Sequence, residues 1–149
     1  RTIGHGYKVA IIQFIKGGWN TGEEKALKNF SNISWHSLGE GFTWETQDRI
    51  RDEKLVKEAW QLAKEYMEDE SYKLIILDEI NIAIKLGYIT SNEIITFIKS
   101  LYNRKNHIVL TGRGASDSII NYADLVTEMK IVKHPFKEQG IKAQKCVEF

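Results

Sequence analysis

The sequence has a single cysteine, Cys146, and a single proline, Pro135. One thiol cannot build an internal disulfide framework, and its isolation suits a reducing compartment. Cys146 has no evident base partner, so it reads as inert rather than nucleophilic. No apolar run approaches the ~20 residues that a membrane-spanning helix needs, and no signal peptide opens the chain. The expectation is a cytoplasmic protein with no membrane partner. A net charge of +1 removes the general electrostatic case for binding nucleic acid or an anionic surface. The histidines His5, His36, His107 and His134 have no metal-ligand spacing among themselves or with Cys146, which argues against zinc. Gly-x-Ser-x-Gly is absent, and with it the serine of a nucleophile elbow.

What remains is an ordinary globular composition. With 149 residues, 42% of them hydrophobic, the chain can bury a real core, and residues 1–149 are expected to form a single domain. The run from Tyr7 to Ile15 is mostly apolar, the mark of a strand covered on both faces. A glycine-rich stretch, Lys16 to Glu24, leaves it, with Asn20 or Thr21 placed to cap a helix over Glu23–Asn29. Ile33–Leu38 reads as a short strand. Asp48–Glu68 has helical spacing, with Leu55, Ala59, Leu62, Ala63, Tyr66 and Met67 on the inward stripe and Trp60 broadening it. Lys73–Glu79 is the clearest strand, apolar and then abruptly acidic. A helix or turn follows at Ile80–Leu86, ended by Gly87, and a helix at Asn92–Tyr102 behind Thr90 or Ser91. His107–Leu110 is another buried-type strand, Ala115–Ala123 a helix, Leu125–Val132 a last strand, and the rest a polar tail. Strands alternating with helices predict an α/β domain with a mainly parallel sheet and helices on both faces. In such sheets ligands bind beyond the carboxyl ends of the strands, which directs attention to Lys16–Gly22, Asp78–Glu79 and Thr111–Arg113.

Leu74-Ile75-Ile76-Leu77-Asp78-Glu79 has the form of a strand that delivers carboxylates to a nucleotide-bound magnesium ion. It also fits a strand ending in a solvated acidic turn. Arg113, in Thr111-Gly112-Arg113-Gly114, could meet phosphate oxygens through its planar fork, or could be a surface arginine. Gly39-Glu40-Gly41-Phe42-Thr43-Trp44-Glu45-Thr46-Gln47-Asp48-Arg49 is the most unusual stretch. In an extended segment Phe42 and Trp44 would point to the same side. They could form a flat apolar wall or simply pack beside a glycine turn.

The segments Arg1-Thr2-Ile3-Gly4-His5-Gly6, Val9 to Gly17, Gly41-Phe42-Thr43-Trp44-Glu45-Thr46-Gln47-Asp48, Leu77-Asp78-Glu79, Thr111-Gly112-Arg113-Gly114 and Val132-Lys133-His134-Pro135-Phe136 occur in order. Gly140 to Lys145 extends the series. Together they closely resemble the ATP:corrinoid adenosyltransferases of the cob(I)yrinic acid a,c-diamide adenosyltransferase type, over essentially the whole chain. The resemblance implies a P-loop (RecA-like) α/β fold and a homodimer. It also implies transfer of the 5′-deoxyadenosyl group of ATP to cobalt(I) of a corrinoid, with release of triphosphate. Phe42 and Trp44 match aromatics that line the corrinoid site and keep the lower cobalt face free of its axial ligand. Glu79, with Asp78 beside it, matches the acidic pair at Mg2+ (or Mn2+). Arg113 and Arg1 match basic residues near the ATP phosphates, and a flavoprotein is the expected transient reductant.

The family's phosphate loop, of the Gly-x-Gly-Lys-Gly-Lys-Thr kind, is expected about one helix before Arg1. With it would come the first strand of the sheet, so both are expected to be absent from residues 1–149. Neither Lys16-Gly17-Gly18 nor Gly112-Arg113-Gly114 substitutes for it, since neither ends in Gly-Lys-Thr/Ser before a helix. A corrinoid-binding module without transfer activity and a generic P-loop ATPase are the competing expectations. The Phe42/Trp44 stretch speaks against the ATPase.

Overall fold

A run that is apolar on both faces is stable as a strand only where both faces are covered. The computed structural model describes residues 1–15, 21–39 and 49–144. In it, the first apolar run forms β1 (Lys8–Phe14), buried from Val9 to Phe14. β1 pairs on one side with β2 (Ile33–Leu38) and on the other with β3 (Tyr72–Asp78). β4 (His107–Leu110) pairs with the far side of β3. The order is β2-β1-β3-β4, and every pairing is parallel.

Parallel neighbours need crossovers, and helices supply them. α1 (Gly22–Leu27) joins β1 to β2 and begins where Thr21 Oγ1 accepts the Glu24 N–H at 3.4 Å. α2 (Arg49–Glu68) joins β2 to β3; α3 (Ile80–Lys85) and α4 (Ser91–Ser100) lie between β3 and β4. Thr90 caps α4 by accepting the Glu93 N–H at 3.2 Å. α5 (Asp117–Tyr122) and α6 (Pro135–Gln139) follow β4, so the polar tail contains one short helix that composition did not announce.

The core joins one face of the sheet to α2. Ala10, Ile12 and Phe14 of β1 meet Ile75 and Leu77 of β3, with Val56, Ala59, Trp60, Ala63 and Met67 of α2 in the same cluster. The register pairs Ala10 with Ile75 and Ile12 with Leu77, so these side chains share a face. Fully burying each large apolar side chain contributes about 1.5–3 kcal/mol. Val9 and Ile11, on the opposite face, are also buried, which is the helices-on-both-faces arrangement expected. The inward stripe of α2 is centred on Val56, Trp60, Ala63 and Met67, while Leu55, Leu62 and Tyr66 are only half-buried at its flank. Trp60 sets that rotation: its ring is 3% exposed and meets Phe97 of α4 edge-on, centroids 5.6 Å apart.

One expected element does not form. Leu125–Val132 was predicted as a strand, but it pairs with no described residue. Leu125, Val126, Met129, Ile131 and Val132 are all exposed. Residue pattern makes a strand only where a ladder is available to satisfy its backbone. Here β4 ends the described sheet and nothing joins it to this segment.

The β2 edge carries a titratable contact. His36 Nε2 and Tyr66 Oη are 2.7 Å apart, and burial lowers the His36 pKa below its usual value. The neutral ring is therefore favoured in the folded protein, and the unfolded chain binds more protons as pH falls. Stability from this group is complete above pH ~6.5 and drains away as pH drops toward the lower folded value. Thermal melts from pH 7.5 to 5 should show a midpoint that falls with pH, and His36→Gln should flatten that slope. An equal slope in the variant would assign the pH dependence to other groups.

Candidate functional site

The connection from β1 runs outward to β2, whereas β3 returns on the other side of β1. The carboxyl ends of β1 and β3 thus flank the point where strand order reverses, the place where open parallel sheets form a ligand crevice. Both ends depart from ordinary backbone geometry. Ile15, just after β1, has φ 68°, and Glu79, just after β3, has φ 64°. For a β-branched residue such an angle is a genuine outlier, and strain of about 1–3 kcal/mol per residue persists only where surroundings impose it.

Those surroundings are specific around Asp78. Gln13 Nε2 donates to Asp78 Oδ2 at 3.0 Å, bridging the two strand ends. Thr111 Oγ1 donates to Asp78 Oδ1 at 2.7 Å and accepts the Glu79 N–H at 3.0 Å. The Thr111 main chain continues the clamp: its N–H donates to Leu77 O and its carbonyl accepts the Asn81 N–H, each at 3.1 Å. Both Asp78 oxygens are thereby engaged within the protein. Glu79 follows in the left-handed conformation, which turns the chain sharply between the strand and α3.

The residues after Thr111 lie against this acidic turn. Gly112 has φ 120°, and a Cβ there would stand 3.2 Å from Asn81 Cβ and 3.3 Å from Glu79 Cα. Only glycine allows both the angle and the approach. Arg113 comes next, exposed and without a hydrogen bond or ion pair to any described residue. The glycine turn that carries Arg113 thus packs against the chain at Glu79 and Asn81, just after β3, where the two carboxylates Asp78 and Glu79 stand. Their oxygen-only donor set suits a hard divalent ion such as magnesium, which needs one or two carboxylates and keeps several waters.

Not every predicted site residue joins the group. Arg1 is exposed and precedes the amino end of β1, where the Thr2 carbonyl accepts the Tyr7 N–H. From Lys8 to Gln13 the strand covers roughly 17 Å, so Arg1 stands at the opposite end of the sheet from Asp78. Phe42 and Trp44 lie outside the described residues. The Arg49 guanidinium, at the start of α2, lies 5.7 Å from the Tyr88 ring centre. A shallow groove of about 360 Å3 between α2 and α4, lined by Trp60, Lys64 and Phe97 among others, contains none of the candidates.

Gln13 and Asn81 were not singled out by motif. Gln13 did leave a signal: it is the one polar residue between Val9 and Ile15, and a polar side chain in a buried strand requires a partner. Asn81 left none, because Gly112, which packs against it, is far along the chain.

The chain is 50% identical over 151 residues to a corrinoid adenosyltransferase of Sinorhizobium sp, covering 100% of this chain and 70% of the relative. It is 49% identical over 150 residues to a corrinoid adenosyltransferase of Pseudomonas aeruginosa, covering 100% of this chain and 73% of that one. With corrinoid adenosyltransferase CobA of Salmonella typhimurium it shares 34% identity over 151 residues, covering 100% and 74%. The family model for ATP:corrinoid adenosyltransferase BtuR/CobO/CobP matches residues 1–149. The chain, with its parallel α/β sheet, therefore belongs to the ATP:corrinoid adenosyltransferase family.

Proposed function

We propose that the protein is a transferase that moves the 5′-deoxyadenosyl group of ATP to the cobalt(I) of a corrinoid. The C5′–O bond breaks, the cobalt electron pair forms the carbon–cobalt bond, and triphosphate leaves with the C–O pair. The observation that carries this reading is the meeting of Asp78, Glu79 and the Arg113 turn at the strand-order reversal. The attacking atom belongs to the substrate, so the protein needs no serine, cysteine or histidine nucleophile. Its work is to position, neutralise charge and exclude water.

Each residue has a part in that work. Arg113 binds phosphate oxygens, and Arg1 would act only as a separate contact from the far end of the sheet. Glu79 would hold Mg2+ (or Mn2+), with Asp78 orienting the turn from its Gln13 and Thr111 hydrogen bonds. Bound there, the ion would offset charge on the triphosphate. Phe42 and Trp44 face the corrinoid and displace its lower axial ligand. A homodimer and a transient flavoprotein reductant complete the reading on family grounds, and the residue pattern supports a cytoplasmic setting. None of the described helices is long and apolar enough to cross a membrane.

The test is a product assay on the full-length protein with Mg-ATP and chemically reduced corrinoid. Triphosphate and a light-sensitive carbon–cobalt bond should appear in equal amounts. Phosphate or diphosphate without that bond would identify an ATPase instead. In the same system Trp44→Ala should weaken the four-coordinate cobalt(II) signal and slow its reduction, while KM for ATP stays within about twofold. Unchanged cobalt(II) spectra would remove Trp44 from the corrinoid site.

A further inference from the structure

Asn81 is 4% exposed, in the first turn of α3, and its main chain is tied to Thr111. Its side chain is not tied in the same way. The Oδ1 atom is buried and accepts no hydrogen bond from a described residue. Such an acceptor has given up water without a replacement, and native proteins seldom leave one so. The side chain sits directly under Gly112, whose added Cβ would be 3.2 Å from Asn81 Cβ, and Arg113 is the next residue.

We infer that Asn81 is a positioning residue for Arg113: its Oδ1 takes a main-chain N–H of the Gly112–Arg113 turn when the Arg113 guanidinium engages the ATP polyphosphate. This rests on the phosphate role proposed for Arg113. The turn can make the adjustment because it is flanked by Gly112 and Gly114, with φ 120° and 77°. An anion draws the guanidinium inward, and the turn follows until the buried oxygen acquires its donor. That bond exists only in the loaded state, so it adds to nucleotide binding and selects one orientation of the arginine fork. A long exposed side chain loses much rotamer freedom on binding, and a fixed main chain beneath it lowers that loss.

The decisive variant is Asn81→Leu in the full-length protein, which keeps the branched heavy-atom skeleton and has no acceptor. Removing a buried, unserved carbonyl should leave the thermal midpoint equal or higher. KM for Mg-ATP should nevertheless rise about tenfold, with kcat at saturating ATP and KM for corrinoid changed less than about twofold. In an Arg113→Ala background the Asn81→Leu effect on KM should shrink below about twofold, since coupled residues are not additive. Asn81→Ala carries the same comparison if the leucine variant does not fold. An unchanged KM, an equal rise in both backgrounds, or a parallel rise for corrinoid would overturn the role of Asn81 and leave that of Arg113 standing. If Arg113→Ala alone leaves KM for Mg-ATP unchanged, the phosphate role falls and the coupling falls with it.

Discussion

Glu79→Gln is expected to reduce adenosyl transfer by at least about 100-fold while leaving the fold intact. The substitution keeps the shape of the side chain and removes its charge. Glu79 follows β3 with φ 64°, and its N–H donates to Thr111 Oγ1 at 3.0 Å, a main-chain bond that the substitution leaves in place. Stability should therefore stay within about 1 kcal/mol of wild type, as for substitutions that create no cavity. The loss should appear in turnover and in the response to added divalent ion, because a carboxamide is a far weaker partner for a hard cation. Initial rates across a magnesium titration check this. Near-normal rates with an unchanged magnesium dependence would place the ion elsewhere.

Thr111→Val should be the more damaging change to the architecture of the site. The hydroxyl serves two groups at once, donating to Asp78 Oδ1 at 2.7 Å and accepting the Glu79 N–H at 3.0 Å. Valine keeps the volume and removes both bonds. Leaving a partly buried polar group unserved costs about 1–3 kcal/mol. With Glu79 no longer held in its left-handed turn, transfer should fall by about tenfold or more, a misplacement effect. Denaturant unfolding and the triphosphate assay read the two losses independently. Loss of stability with full activity would mean that Glu79 is aimed by something other than Thr111. Unchanged stability would mean that water replaces the hydroxyl.

Much of this was legible in the chain. Continuous apolar runs announced β1, β3 and β4, but only β1 is buried on both faces: β3 is buried at Ile75 and Leu77 alone, and β4, expected to be a buried strand, has no buried residue and exposes Val109 at the edge of the described sheet. Thr21 and Thr90 announced the starts of α1 and α4, because capping depends on atoms three residues apart. Family likeness carried the activity further than any pattern could, through the Gly41–Asp48 stretch above all. The stripe of α2 was misjudged by a fraction of a turn, since Trp60 finds Phe97 on a helix that local spacing cannot see. Leu125–Val132 failed for a related reason: alternation records an affinity for a ladder and does not supply the neighbouring strand.

By itself, then, the sequence determined the parallel α/β plan, the acidic strand end and the presence of an arginine after the glycine turn. These follow from period, burial and short-range chemistry. Only the tertiary structure decided how the acidic pair is held. Asp78 is engaged by Gln13, 65 residues away, and by Thr111, 33 residues away. Glu79 is turned out of the strand by a hydroxyl that belongs to another element. It also separated Arg1 from Arg113 by the length of β1 and set Asn81 under Gly112. Distances of that kind arise from the order in which strands are laid down in the sheet, and no local pattern encodes that order.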